Sequence, residues 1–285
     1  ESYLKNRVQQ VRVNSEISTT KTLRAGCPQG SVLGPLLALL YLNKLATITT
    51  NDILLYADDT SLHSSHNIND AQTTQQSLQQ DLDVIYEYGK QWAIKFNATK
   101  TIQQTYSHKS DTDNRALKLT FGGEPIPLAT AHKHLGLTFS SDLRFHAHIN
   151  ETLTKVNRAV SPLYPIAKYI PRPILAQVYT IYILPIFDYC DVVYDGNITL
   201  HDSHRLEITQ NRIARLVTGA SFHTSTDKLR RDLGWAKLSE RRKIHKLNQY
   251  HKLMNDTRIP KYITDLLPHT RHNDTGRTLR NSALH

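Results

Sequence analysis

Ile53-Leu54-Leu55-Tyr56-Ala57-Asp58-Asp59-Thr60-Ser61-Leu62-His63 is the stretch that decides how this chain is read. Residues 53–56 are apolar or aromatic and suit a strand, 57–59 make a turn, and 60–63 return as a second strand. Two adjacent carboxylates at such a turn repel each other unless protons or cations compensate. Their hard oxygen atoms suit Mg²⁺, which keeps several waters and completes its shell from substrate phosphates. Two such ions make the arrangement used for in-line phosphoryl transfer. Aspartates also gather at turns for backbone reasons alone. The apolar strand ahead of the pair, the 28 positions from Gly30 to Asp58 and a basic block downstream favour the metal reading.

Upstream, Gly26-Cys27-Pro28-Gln29-Gly30 is a turn with glycine at both ends, which permits positive φ and close approach of backbone to a ligand. A nucleotide sugar or base could lie there, with the Gln29 amide at the tip; an ordinary strand-to-helix turn is the alternative. An apolar helix follows over 31–45. Residues 7–13 and 18–24 alternate as a hairpin turning near Asn14-Ser15. Downstream, 69–91 has helical spacing, with Leu78, Leu82, Ile85 and Trp92 on one stripe, so Trp92 is expected in the core. Residues 117–121 and 125–128 form a hairpin about Gly122-Gly123, and 134–139 reads as one further strand.

Beyond Asp142 only helices are expected. Their stripes are Phe145, Ile149, Leu153, Val156 and Val160; the apolar segment 174–187; Leu206, Ile213 and Leu216; and Ile244, Leu247 and Leu253. The fold class is therefore α+β: a mixed domain over 1–141 and an all-α region over 142–285, whose end, 268–285, is polar.

The 285 residues allow two domains, and 39% hydrophobic with 21% charged residues suits a folded chain. The apolar runs 32–42 and 174–187 are too short for a membrane span and contain Pro35 and Pro185. Two cysteines, Cys27 and Cys190, suit a reducing compartment without a disulfide framework and exclude a Cys-rich zinc site. His132, His134, His146 and His148 alternate without further ligands nearby and are expected at the surface or in packing. The net charge of +10 is uneven: 18 Lys/Arg against 17 Asp/Glu over 1–200, then 17 against 8 over 201–285. A basic appendage on a neutral domain suits a polyanion, although a solvated helical surface has the same composition. The chain begins at Glu1, without methionine or signal peptide, and is expected to be cut from a longer polypeptide.

Together these residues resemble the reverse transcriptases of non-long-terminal-repeat (LINE-like, jockey-type) retrotransposons. Gly26-Cys27-Pro28-Gln29-Gly30-Ser31-Val32-Leu33-Gly34-Pro35-Leu36-Leu37 resembles the family's motif B, and Leu55 to Thr60 its motif C. Trp92 with Lys95-Phe96-Asn97 and Lys100-Thr101 resembles motif D, and His134-Leu135-Gly136 motif E, the primer-grip turn. Phe187-Asp188-Tyr189-Cys190, Gln210-Asn211-Arg212 and Leu233-Gly234-Trp235 resemble the region downstream.

The resemblance implies a partial polymerase palm, an antiparallel sheet with helices, followed by a thumb-like region. It implies an RNA-directed DNA polymerase that takes template RNA, primer DNA and dNTP. Asp58 and Asp59 would be catalytic metal ligands for two Mg²⁺ ions in the complete enzyme. Gly26, Pro28, Gln29, Gly30 and Ser31 would lie against template and nucleotide. Lys100 would face pyrophosphate, and the helices after 200 would track template or hybrid. Tyr56 would pack below the primer terminus, or else end the strand in the core. The family also implies an intracellular setting, in the nucleus and in cytoplasmic ribonucleoprotein.

The family's motif A, with its third aspartate, has no counterpart here, nor do the fingers, and Lys44 stands where aspartate is frequent. Activity is therefore expected to need the upstream part of the polypeptide. The competing expectation is a non-catalytic, nucleic-acid-binding relic or domesticated fragment of a retroelement.

Overall fold

The computed structural model describes residues 3–23, 26–28, 30–65, 70–107 and 117–267. It divides into two compact units, Glu1–Thr105 with Asp111–Ala129, and Tyr106–Ser110 with Thr130–His285. The sequence reading puts its boundary at 141/142, whereas the second unit takes in the chain from Thr130 onward.

In the first unit, β1 (Val8–Gln9), β2 (Arg12–Val13), β3 (Glu16–Ile17) and β4 (Lys21–Thr22) form one interrupted hairpin, with β1 on β4 and β2 on β3. Its tip is Asn14-Ser15, with Asn14 at φ 55, a conformation asparagine tolerates. The expected helix 31–45 is two pieces, α1 (Leu33–Leu42) and α2 (Leu45–Ile48). Next come β5 (Asp52–Tyr56) and β6 (Asp59–His63), paired antiparallel, and the 21-residue α3 (Ala71–Gln91). β7 (Thr120–Phe121) and β8 (Glu124–Pro125) turn at Gly122-Gly123, both at positive φ.

Strand alternation sends Ile53 and Leu55 inward against a small core of Leu45, Ile85, Tyr88 and Phe121. Of the leucines of α1, Leu42 packs against this core, whereas Leu33, Leu36, Leu39 and Leu40 are exposed. Trp92 is not core. It is 37% exposed and sits edge-on to Tyr41 at 5.6 Å, because α3 ends at Gln91 and the chain turns away.

The second unit opens with a hairpin, β9 (Ala131–His134) and β10 (Leu137–Ser140), where the sequence suggested a single strand over 134–139. Leu135 (φ 46) and Gly136 (φ 83) are both left-handed, the requirement of the tightest hairpin loop. Helices follow: α4 (His146–Val160), α5 (Leu163–Ile166), α6 (Arg172–Val178), α7 (Leu184–Asp188), α8 (Asp191–Tyr194) and α9 (Leu200–Thr218). The last are α10 (Thr226–Leu233), α11 (Leu238–Asn255) and α12 (Lys261–Thr264).

A π-helical turn, Tyr179–Ile183, joins α6 to α7 just ahead of Pro185, whose missing N–H breaks the regular ladder. Thr199 caps α9, its hydroxyl accepting from the Asp202 N–H at 3.0 Å, and Gly219 ends it at φ 67. The α4 stripe Phe145, Ile149, Leu153, Val156 and Val160 is buried as expected, with Leu175, Tyr179, Phe187, Leu206 and Ile213.

The α11 stripe is different. Ile244 and Leu247 are exposed, and the face turned inward carries Leu238 and Arg242.

The chain is thus α+β. Among the described residues the strands form five separate two-stranded pairs rather than the one antiparallel sheet expected. No helix of the described residues is long and apolar enough to cross a membrane.

Candidate functional site

Asp58 and Asp59 stand at the tip of the β5–β6 hairpin. Tyr56 pairs with Asp59, leaving Ala57 and Asp58 as a two-residue loop whose first residue is left-handed at φ 54. Both carboxylates are exposed, and among the described residues neither forms an ion pair or accepts a side-chain hydrogen bond. Unneutralised adjacent charges on a short turn are the kind of group that gathers a divalent cation. Asp59 shares the outward face of the hairpin with Tyr56 and Leu54. Tyr56 is 65% exposed, so it ends the strand in solvent and not in the core.

The hairpin is held from behind by a residue that sequence reasoning missed. Asp81, on the buried face of α3, accepts hydrogen bonds from the backbone N–H groups of Thr50 (2.8 Å) and Asn51 (2.7 Å), immediately before β5. It also accepts from the Thr50 hydroxyl (3.0 Å) and the Asn51 amide (2.8 Å). Burial pushes this carboxyl up, yet the bonds from Thr50 and Asn51 outweigh it and leave it below the usual aspartate range. An acid in register with Ile85 and Tyr88 was the available signal.

The Gly26–Gly30 turn is tied to the start of α1. Gly26 (φ 80) and Gly30 (φ 85) are left-handed, and the space where a Cβ would stand is open at both. Ser31 Oγ donates to the Pro28 carbonyl at 2.8 Å and accepts from the Gly34 N–H at 3.1 Å. Tyr3 also bonds Ser31, and Arg7 the Gly26 carbonyl. Gln29 lies outside the described residues. Lys100 is exposed at the end of the short 3₁₀ turn Ala98–Lys100, which Asn97 caps by accepting from the Thr99 N–H at 3.1 Å.

These three local structures belong to the first unit; His134, Leu135 and Gly136 belong to the second. There His148 is buried against Tyr194, and His146 bonds the buried Asp202 at 3.0 Å.

Much of the basic excess after residue 200 is bound internally. Arg241 donates to both oxygens of Asp188 (3.1 and 2.6 Å), and Arg242 to Asp195 and Ser203 (2.7 Å each). Lys246 reaches Asp195 at 2.9 Å, and His245 pairs with Asp191 at 2.6 Å. Ligand atoms of Asp188, Asp191 and His245 lie within 4.8 Å of one another. Arg241 donates to Asp188 and His245 shares a hydrogen bond with Asp191, so the group is a hydrogen-bonded network internal to the second unit.

Residues 1–139 match the family described as reverse transcriptase (RNA-dependent DNA polymerase). Over 277 residues the chain is 28% identical to a probable RNA-directed DNA polymerase from transposon BS of Drosophila melanogaster, covering 91% of this chain and 30% of that protein. It is 29% identical over 252 residues to the RNA-directed DNA polymerase from mobile element jockey of the same species, with 84% and 27% covered. With the probable RNA-directed DNA polymerase from transposon X-element it shares 30% over 264 residues, with 88% and 28% covered. The chain thus spans less than a third of the length of these relatives. No solved structure matches it.

Proposed function

We propose, from the match of residues 1–139 to the reverse transcriptase family and the likeness of the chain to polymerases of mobile elements, that it takes part in RNA-templated transfer of a nucleotide from dNTP to a primer 3′-hydroxyl. The observation that carries this reading is the pair of exposed, unneutralised carboxylates Asp58 and Asp59 on a hairpin fixed from behind by Ile53, Leu55 and Asp81. Asp58 and Asp59 fit part of the oxygen shell of Mg²⁺, which when bound would offset charge on the phosphates.

This chain's own residues then have distinct tasks. The two carboxylates hold the cation side of the site, completed by a third carboxylate from residues other than these 285. Gly26 and Gly30 leave open backbone on which template and incoming nucleotide can lie. Lys100 offers a cation to the departing pyrophosphate. His134, Leu135 and Gly136 meet the primer end, and the exposed cations of the second unit meet nucleic-acid phosphates. Such an enzyme works inside the cell, in ribonucleoprotein and in the nucleus.

The test is primer extension on a poly-A template with oligo-dT and Mg²⁺, using the open reading frame that contains these residues. Asp58→Ala and Asp59→Ala should each abolish extension while leaving hybrid binding intact. Undiminished extension in both variants would remove the catalytic assignment.

A further inference from the structure

Tyr189 lies in a break between α7 and α8 that no glycine or proline dictates. It is extended (φ −63°, ψ 118°), and Cys190 after it is left-handed (φ 56°, ψ 21°). The break is clamped on both sides by α11: Asp188 by Arg241, Asp191 by His245, and Asp195 one turn on by Arg242 and Lys246. The side chain turned out by this break reaches the loop of the β9–β10 hairpin. Its hydroxyl donates to the Leu135 carbonyl at 2.5 Å. A Cβ built on Gly136 would meet the Tyr189 hydroxyl and ring at 3.0 to 3.3 Å, so a larger residue there would make the ring give way by a few tenths of an ångström.

Two independent features say that this contact is more than packing. Tyr189 is 50% exposed, so burial of its ring does not account for its place. Leu135 and Cys190, one on each side of the contact, are both non-glycine residues at positive φ. Such strain costs on the order of 1–3 kcal/mol per residue and persists only where surrounding structure over-determines it. A two-residue loop with leucine at its first position lacks the chemistry to hold itself. The Tyr189 hydroxyl supplies an external hold, and the α11 ion pairs hold Tyr189.

We infer that Tyr189 is a positioning residue for the His134–Gly136 turn, fixing the loop in the form that meets a primer 3′ end, with Arg241 and His245 of α11 keeping Tyr189 in place. This rests on the primer-end reading of that turn given above.

The test uses the 285-residue chain with two readouts. One is amide hydrogen exchange at residues 135–137. The other is fluorescence anisotropy with an RNA–DNA hybrid bearing a recessed DNA 3′ end, against the same hybrid blunt-ended. Tyr189→Phe should speed exchange at the loop roughly fivefold, as loss of one hydrogen bond does, with α4 and α9 unchanged. It should reduce the preference for the recessed end by a similar factor and leave blunt-hybrid affinity unaltered. Arg241→Gln should move both readouts in the same direction. Unchanged loop exchange in Tyr189→Phe overturns the inference. So does faster exchange with the end preference retained, provided Gly136→Val removes that preference. If Gly136→Val keeps the preference, or the chain shows none, the primer-end reading has failed and the inference falls with it.

Discussion

The two units solve the problem of holding functional groups in opposite ways. The first buries four large apolar residues in its core cluster and leaves Leu33, Leu36, Leu39 and Leu40 of α1 exposed. The second gathers fifteen buried residues into one cluster drawn from α4, the π-helical turn, α9 and their neighbours. A small core cannot by itself fix the direction of a two-stranded hairpin, which is marginal in isolation. The Asp58–Asp59 tip therefore depends on a polar anchor, Asp81, at the hairpin's base. The second unit has the larger apolar core, and its polar groups serve a different end: they set the course of α8 and α11 around Tyr189. An apolar surface like that of α1 is of the kind other protein surfaces cover.

The largest test of this contrast is Ile149→Ala, which opens a cavity at a fully buried position of the second unit. It should cost about 3–4 kcal/mol, and in calorimetry only one of two transitions should move. Equal movement of both would show one cooperative body and break the comparison. Next is Asp81→Ala in the first unit, which leaves the Thr50 and Asn51 N–H groups without their acceptor. A loss of about 2–3 kcal/mol is expected, together with faster amide exchange along β5. A neutral outcome would mean that the small core suffices.

A smaller effect concerns charge. Arg242 is 3% exposed and tied to Asp195 and Ser203, whereas Lys243 and Lys252 are exposed on the same helix. In salt titrations of hybrid binding, Lys243→Ala and Lys252→Ala should each lower the slope by about 1. Arg242→Ala should leave the slope unchanged and lower the melting temperature instead. A drop in slope with Arg242→Ala would show that the network opens on binding.

Local periodicity carried much of the fold. The β5–β6 hairpin, α3, the turns at Asn14-Ser15 and Gly122-Gly123, and the α4 stripe all follow from alternation, helical spacing or turn chemistry. What escaped was decided by partners far along the chain. Leu135 alternates with Leu137 and Phe139 as in a strand, so the loop between β9 and β10 passes for strand. Ile244 and Leu247 have core spacing, yet α11 turns Arg241, Arg242 and His245 inward because Asp188, Asp195 and Asp191 await them. Tyr56 faces solvent because only alternate residues of β5 reach the core. Of the candidate site, the carboxylate pair and the glycine turn were legible from spacing. Asp81 was not, because its function appears only when Thr50 and Asn51 are brought 30 residues back onto α3.

The smallest expected effect separates the units by pH. His148 is buried in the second unit, and that burial holds its imidazole below the ordinary value of 6.5; Glu151 pulls it back up in part, and Lys155 and Lys133 push it down again. Unfolding frees it to take a proton, so its contribution is whole above about pH 6.5 and declines as pH falls below that. In the first unit the shifted acid is Asp81, lowered from 3.8 by bonds that overcome its burial. Its contribution is whole above pH 3.8 and is lost only as pH drops toward its lower folded value. Asp191 works the other way: burial raises its carboxyl more than His245 lowers it, which returns some stability to the second unit as pH approaches 3.8. Between pH 7 and pH 5, then, the second transition should drift to lower temperature while the first stays fixed. His148→Gln should flatten that drift. A drift that survives His148→Gln, or one shared by both transitions, would place the acid-sensitive group elsewhere and leave the units indistinguishable by pH.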